Sequence, residues 1–291
     1  MSAVILVREL PTVIVPVFNA LDALDACLAS LDRTLSPGAH VLVANDASTD
    51  PRIARLLDDW KRRTPLAAEI VVRERNLGFV GNVNRAFAER GEDDVVLLNS
   101  DTVATNGWLE RIAACAASDA RIATITPWSN NAEICSFPAL CEDNPVPDDP
   151  DRIAEACACA GAPEYPELPT GVGFCMYIRR AALRQAGDFD AATFGRGYGE
   201  ENDFCLRVAG IGWRNVLCDD AYVVHAGNAS FGPLGERPGG DNMRRLLTRW
   251  PDYQERVAGF ILADPLRPLR ERIVRRLAQL QSPRTQHDLF D

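Results

Sequence analysis

Three places in this chain put acids or a histidine where a strand or helix ends. Asn99-Ser100-Asp101 closes the apolar run Val95–Leu98. An aspartate there offers a hard oxygen to a divalent cation, although Asn-Ser-Asp also serves simply to turn the chain. Glu200, Glu201 and Asp203 open a helix just after the glycine-rich run Gly195–Gly199. Acids in a first turn complement the helix dipole, and one so placed can also take a proton from an attacking hydroxyl. Asp203 and Arg207 lie one turn apart and pair on one helical face as support. His225 ends the strand-like Ala221–Val224 and is one of only three histidines. Its plain reading is a core or surface residue, and its chemical reading is a ligand for a borderline metal such as Mn²⁺.

Those residues need a scaffold that brings strand ends together. Thr12–Val17, His40–Ala44, Ala68–Arg73 and Val95–Leu98 are short apolar runs, and stretches of helical spacing follow at Ala20–Leu31, Asp50–Arg62 and Gly81–Glu89. Alternation of this kind predicts an α/β fold with a mostly parallel sheet covered on both faces. Ligands then sit beyond the carboxyl ends of the strands, where Asn19, Asn45-Asp46, Asn76 and Asn99-Ser100-Asp101 fall. Pro138–Pro169 breaks the rhythm as a surface excursion with one short helix near Arg152–Ala158. Gly171–Arg179, Trp213–Cys218 and Ala221–His225 supply further strands, and Glu200–Val208 a helix.

Taken in order, VIVPVFNA (Val13–Ala20), VLVANDASTD (Val41–Asp50), the strand ending in Asn99-Ser100-Asp101, and YGEENDFCLR (Tyr198–Arg207) followed by His225 resemble the family 2 inverting glycosyltransferases of bacterial polysaccharide type. The resemblance spans about Thr12 to Gly232 and implies the GT-A fold, a Rossmann-like central sheet flanked by helices. It implies a nucleotide-diphosphate sugar donor and a glycan or lipid-linked glycan acceptor, with no nucleic acid. Asp101 stands where the family's DxD motif supplies its metal carboxylate, and Asn99 replaces the first acid of that motif. Asp46 and Asn76 fall at donor positions beside the nucleotide, with Asn99 near the ribose. His225 is implied as a second ligand to Mn²⁺ or Mg²⁺. Glu201 is implied as the base and Glu200 as a residue that orients the acceptor. Glu201 is expected to keep its charge at neutral pH, helped by the metal and the helix dipole. Thr126–Ala132 offers Trp128 for stacking and Asn130-Asn131 for sugar hydroxyls, and Thr170–Met176 resembles the strand beneath donor and acceptor.

Composition is that of an ordinary globular protein. The chain has 291 residues, 47% hydrophobic and 25% charged, with a formal net charge of -10 that argues against a nucleic-acid binder. The nine cysteines include no CxxC pair and fit reduced, cytosolic thiols. Cys135, Cys141, Cys157 and Cys159 cluster loosely, but their spacing matches no zinc pattern. The N-terminal MSAVILVREL lacks a signal-peptide core, and no stretch approaches the ~20 apolar residues of a span. We expect a glycosyltransferase domain over 1–235 and an Arg-rich helical extension over 236–291. In that extension Leu266, Leu269, Ile273, Leu277 and Leu280 form one stripe. Docking on its own domain is the default for this stripe, with a partner enzyme or the inner face of a membrane as alternatives. Two competing functions are a nucleotide-sugar-binding module that has lost turnover, for which Asn99 is the hint, and a nucleotidyltransferase. The second wants a basic glycine-rich loop near the N-terminus, which Val15–Leu21 lacks. A dinucleotide oxidoreductase is disfavoured because no GxGxxG follows the first strand.

Overall fold

The computed structural model describes residues 10–195, 197–227 and 240–281. The first half alternates as expected: β1 (Thr12–Val17), α1 (Leu21–Thr34), β2 (His40–Asn45), α2 (Pro51–Arg63), β3 (Ala67–Val72), α3 (Gly78–Glu89) and β4 (Val95–Leu98). Then come β5 (Thr102–Ala104), α4 (Trp108–Ser118), β6 (Ile122–Trp128) and, inside the surface excursion, α5 (Pro150–Ala158). The chain continues with β7 (Cys175–Ile178), α6 (Arg180–Ala186), α7 (Ala191–Phe194), α8 (Glu200–Gly210) and β8 (Arg214–His225), ending in α9 (Asp241–Arg249), α10 (Tyr253–Ala263) and α11 (Arg267–Gln281).

One eight-stranded sheet runs in the order β3-β2-β1-β4-β7-β6-β8-β5. Alternate side chains of its strands feed two cores. Val13, Val15, Val17, Val41, Val43, Val96 and Leu98 join the core under α1, α2, α4 and α5. Ile14, Leu42, Ala44, Val95 and Leu97 join the other, under α3, α6 and α8. Burial on both faces is why these strands read as unbroken apolar runs. The order reverses at β1 and β4, and a cavity opens beyond the carboxyl end of β4.

The sheet is less parallel than expected. β1-β2, β1-β4, β2-β3 and β6-β8 are parallel, but β7 runs antiparallel to both β4 and β6, and β5 antiparallel to β8. The long excursion returns the chain so that β7 enters the sheet reversed. Trp213–Cys218 and Ala221–His225 are also not two strands but one. The acids between them are carried by a register shift against β6, in which Pro127 faces Cys218 and Trp128 faces Tyr222. Asp219 is satisfied there by the backbone N–H groups of Glu164 and Tyr165. The tail is not a separate body. Leu246 and Tyr253 enter one core, while Leu266, Leu269 and Ile273 enter the other, so the apolar stripe of α11 lies on its own domain against α5. Among the described residues, no helix is long and apolar enough to cross a membrane.

Candidate active site

β5 is only three residues long, and it places the first pair of functional groups. It leaves β4 through Asn99-Ser100-Asp101 and pairs with the end of β8, with Thr102 opposite His225. Ala226 N–H donates to the Asp101 carbonyl at 2.9 Å, so the two chain segments are locked together. His225 Nε2 then lies 3.5 Å from Asp101 Oδ1. His225 is held at three points. Its Nδ1 is 2.7 Å from the Asn131 carbonyl, its ring stacks on Phe174 at 5.2 Å, and its backbone N–H donates to Asn130 Oδ1 at 2.9 Å. A carbonyl can only accept, so Nδ1 carries hydrogen and the neutral ring presents the Nε2 lone pair toward Asp101. Burial alone would push the His225 pKa down, but the hydrogen bond and charge of Asp101, helped by Asn131, push it above the ordinary value. A group whose proton is held by a carboxylate at that spacing suits a divalent cation in the proton's place. The nitrogen-and-oxygen donor set fits a borderline metal such as Mn²⁺. Among the described residues, no cluster of three or more His, Cys, Asp or Glu side chains gathers to hold a metal by protein alone.

The carboxylates of α8 form the second group. Gly199 caps this helix at a φ of 106°, and a Cβ there would meet the Phe194 ring at 3.1 Å, so only glycine fits without a shift. Gly199 N–H donates to Glu201 Oε2 at 3.2 Å, and Asn202 Nδ2 donates to Glu201 Oε1 at 3.3 Å. Glu200 is 4% exposed and its Oε2 has no partner. Burial, then the neighbouring charge of Glu201, drives the Glu200 pKa well above the usual carboxyl range. Burial raises Glu201 too, against the N–H groups at the helix start and with the charge of Glu133 adding to the rise. For Glu201, burial outweighs the helix-start N–H groups, so its pKa lies above the ordinary carboxyl value. Glu200 is the stronger holder of a proton, and Glu201 is the more readily ionised of the two.

Both groups line one cavity of about 230 Å³, together with Asn99, Asn131, Glu133, Gly173, Phe174 and Tyr198. Asn99 contributes a buried Oδ1 without a partner. Asp46 and Asn76 are not in this lining. They form a neighbouring unit beyond β2 and β3, where Asp46 Oδ1 accepts Leu77 N–H at 2.7 Å and Asn76 Nδ2 donates to the Asp46 carbonyl at 3.3 Å. Burial raises the Asp46 pKa in spite of the Leu77 and Gly78 N–H groups.

Two expected sugar contacts are corrected. Trp128 is fully buried, packs on Phe137, and spends its Nε1 on the Asp219 carbonyl at 3.1 Å. It has no free face for a sugar because β6 extends through it. Asn130 is 2% exposed and is consumed by the backbone, donating to the carbonyls of His225 and Asn144 and accepting from His225 N–H. Asn131 does reach the cavity. Asp203 and Arg207 pair at 2.8 Å, and Asp203 also accepts from Arg249 and Trp250 of the tail, each at 2.9 Å. Of the loop Ala226–Phe231, the part after Gly227 lies outside the described residues, as does Arg196 within Gly195–Gly199.

Glu133 was not legible beforehand. It sits in a 3-10 turn, Glu133–Cys135, at a positive φ of 48°, and nothing in its neighbours announces a cavity-lining acid. Phe174 lies within the flagged Thr170–Met176, but its stacking on His225 depends on a pairing across the sheet. The four clustered cysteines do not converge as a set of similar exposure: Cys135 and Cys157 are buried, while Cys141 and Cys159 are exposed.

Residues 12–135 match the glycosyl transferase family 2 profile. The chain is 26% identical over 233 residues to an N-acetylglucosaminyl-diphospho-decaprenol L-rhamnosyltransferase of Mycobacterium tuberculosis, covering 69% of this chain and 71% of that protein. Its fold is similar to that of the mannosyltransferase PcManGT from Pyrobaculum calidifontis, solved with GDP-Man and Mn²⁺, at a TM-score of 0.55 and 17% identity over 94% of this chain and 76% of that one. S. aureus TarS 1-349 in complex with UDP-GlcNAc is similar at a TM-score of 0.55 and 18% identity, covering 76% of this chain and 60% of that one. GalNAc-T7 with UDP, GalNAc and Mn²⁺ is similar at a TM-score of 0.62 and 14% identity, covering 91% of this chain and 55% of that one. At these identities the solved structures establish the fold.

Proposed function

We propose a donor class, an acceptor class and a division of labour for this chain, which belongs to the family 2 glycosyltransferases of the GT-A fold. It moves a sugar from a nucleoside-diphosphate donor to a hydroxyl of a glycan or lipid-linked glycan, with inversion at the anomeric carbon. The observation that carries this reading is that Asp101 and His225 share one cavity with Glu200 and Glu201. A site for sugar transfer from a diphosphate donor needs a cation-holding end for the leaving group and a proton-accepting end, both within reach of one sugar.

Asp101 and His225 would hold a divalent cation and leave its other positions to diphosphate oxygens and water. Such a cation would neutralise the charge that develops on the departing diphosphate. Glu201 takes the proton of the acceptor hydroxyl as the acceptor oxygen bonds to the anomeric carbon and the bond from that carbon to phosphate oxygen breaks. Glu200 keeps its own proton and orients the acceptor, and the orphan oxygens Glu200 Oε2 and Asn99 Oδ1 await donors such as sugar hydroxyls. Asp46 and Asn76 hold the nucleoside beside the cavity. The acceptor class is carried over from the rhamnosyltransferase relative.

The test is a panel of UDP-, GDP- and dTDP-sugars, rhamnose included, scored for nucleoside-diphosphate release and for thermal stabilisation with Mn²⁺, Mg²⁺ or EDTA. One donor should stabilise the protein only with a divalent cation present, by ~2.7 kcal/mol at a hundredfold excess over Kd. A thermal shift that survives EDTA would remove the metal from this reading. An α-linked donor should give a β product by anomeric coupling in NMR, and an α product would refute direct displacement.

A further inference from the structure

Glu201 is reached by a short chain of hydrogen bonds that begins in the C-terminal helices, outside the matched family segment 12–135. Tyr253 opens α10 and is buried, 7% exposed. Its hydroxyl donates to Asn202 Oδ1 at 3.0 Å. Thr170 Oγ1 lies 2.8 Å from the same oxygen. The Asn202 amide then turns its Nδ2 to Glu201 Oε1. This orientation is required by chemistry, because an ionised carboxylate only accepts and must be met by the NH₂ end of the amide. Thr170 divides its single proton between Asn202 Oδ1 and its second acceptor, the Gly171 carbonyl at 3.1 Å. Tyr253 is the dedicated donor that fixes the amide.

We infer that Tyr253 is a positioning residue for the base: through Asn202 it holds the Glu201 carboxylate in one orientation and supports its ionised form. The inference rests on the assignment of Glu201 as base. It gives the docked tail a part in the reaction, since α9 also binds the loop before α8, with Asn242 Nδ2 donating to the carbonyls of Phe194 and Gly197. Burial keeps the Tyr253 hydroxyl protonated well above its ordinary range, so it remains a donor at any working pH. Other titratable groups face Glu201 as well: Glu200 and Cys205 on α8, Glu133 from the 3-10 turn, and Tyr198, Asp101 and His225 around the cavity.

Tyr253→Phe keeps the ring and removes the donor. With the nucleotide sugar that scores in the panel, kcat should fall about three- to tenfold while the donor KM holds. The acid limb of the kcat profile should move up by roughly half to one pH unit, because an anion that loses support ionises later. Melting temperature supplies an arm that needs no turnover. The loss relative to the parent should grow with rising pH, as Glu201 ionises, and should become independent of pH in a Glu201→Gln background. A Tyr253→Phe enzyme with the parent's kcat and acid limb would overturn the inference. So would a melting loss that is equal at every pH and unchanged by Glu201→Gln. Should Glu201→Gln itself keep full turnover, the base assignment fails separately, and the melting arm alone decides whether Tyr253 acts on that carboxylate.

Discussion

Glu201 and Asp101 line the same cavity from different elements, so substitutions should separate their roles. Asp101→Ala removes the oxygen that faces His225 Nε2 and should abolish cation-dependent donor binding. Glu201→Gln keeps the shape, can accept from only one of the two neighbouring donors and cannot take a proton, so turnover should fall by roughly 10²–10⁴ with donor affinity largely kept. Isothermal titration of the nucleoside diphosphate beside steady-state rates reads both effects. Equal loss of donor affinity in the two variants would mean the roles are misassigned. Glu200 explains why the cluster needs two adjacent acids. Two adjacent buried carboxyls resist ionising together, and in the proposed reaction the proton stays on Glu200 while Glu201 is the acceptor.

The strands and helices show what a sequence can and cannot reveal. β1 and β4 are placed as their apolar runs indicate, because a strand buried on both faces has no other composition open to it. Asp101, Glu201 and His225 stand out in the sequence because each lies at a recognisable element end, after β4, in the first turn of α8 and at the close of β8. Trp128 and Asn130 misled for one reason: a tryptophan and amides near a strand end look the same whether the strand stops before them or runs through. β6 runs through Trp128, and the register shift opposite it is a tertiary event with no local signature. Glu133 and Tyr253 were missed because a turn and a distant helix bring them in. The correction has a consequence. Trp128→Phe should lower the melting temperature, as expected for lost core volume and an orphaned Asp219 carbonyl, at about 1–3 kcal/mol. Donor and acceptor KM should stay near the parent's values. A raised KM with unchanged stability would return Trp128 to the sugar site.

Across the chain as one folded body, charge sets how stability depends on pH. Glu200, Glu201, Asp46 and Asp219 are all held above their ordinary values, in each case first by burial, and Asp101 raises His225 over the opposing effect of its own burial. A group raised in the folded state contributes its full stability below its unfolded pKa and loses it as pH climbs through the folded one. Asp119 and Asp190 act in the other direction. Asp119 is held at about 2 by the Arg121 backbone N–H and then by the Arg121 and Arg214 side chains. Asp190 is also held at about 2, where bonds from Thr193 and Arg249 outweigh its burial. Their contribution is present above the ordinary Asp value near ~3.9 and is lost as pH falls toward the folded value. Stability should therefore peak in mildly acidic solution and decline toward pH 8, and the formal charge of -10 adds self-repulsion on the same side. Glu200→Gln isolates the largest contributor, since it fills the same space and can never be forced to ionise. Relative to the parent, this variant should gain melting temperature at pH 8 and gain less, or nothing, at pH 5. A parent whose melting temperature is flat from pH 5 to 8, or a Glu200→Gln shift that is the same at both ends, would mean that the buried pair does not control the alkaline side.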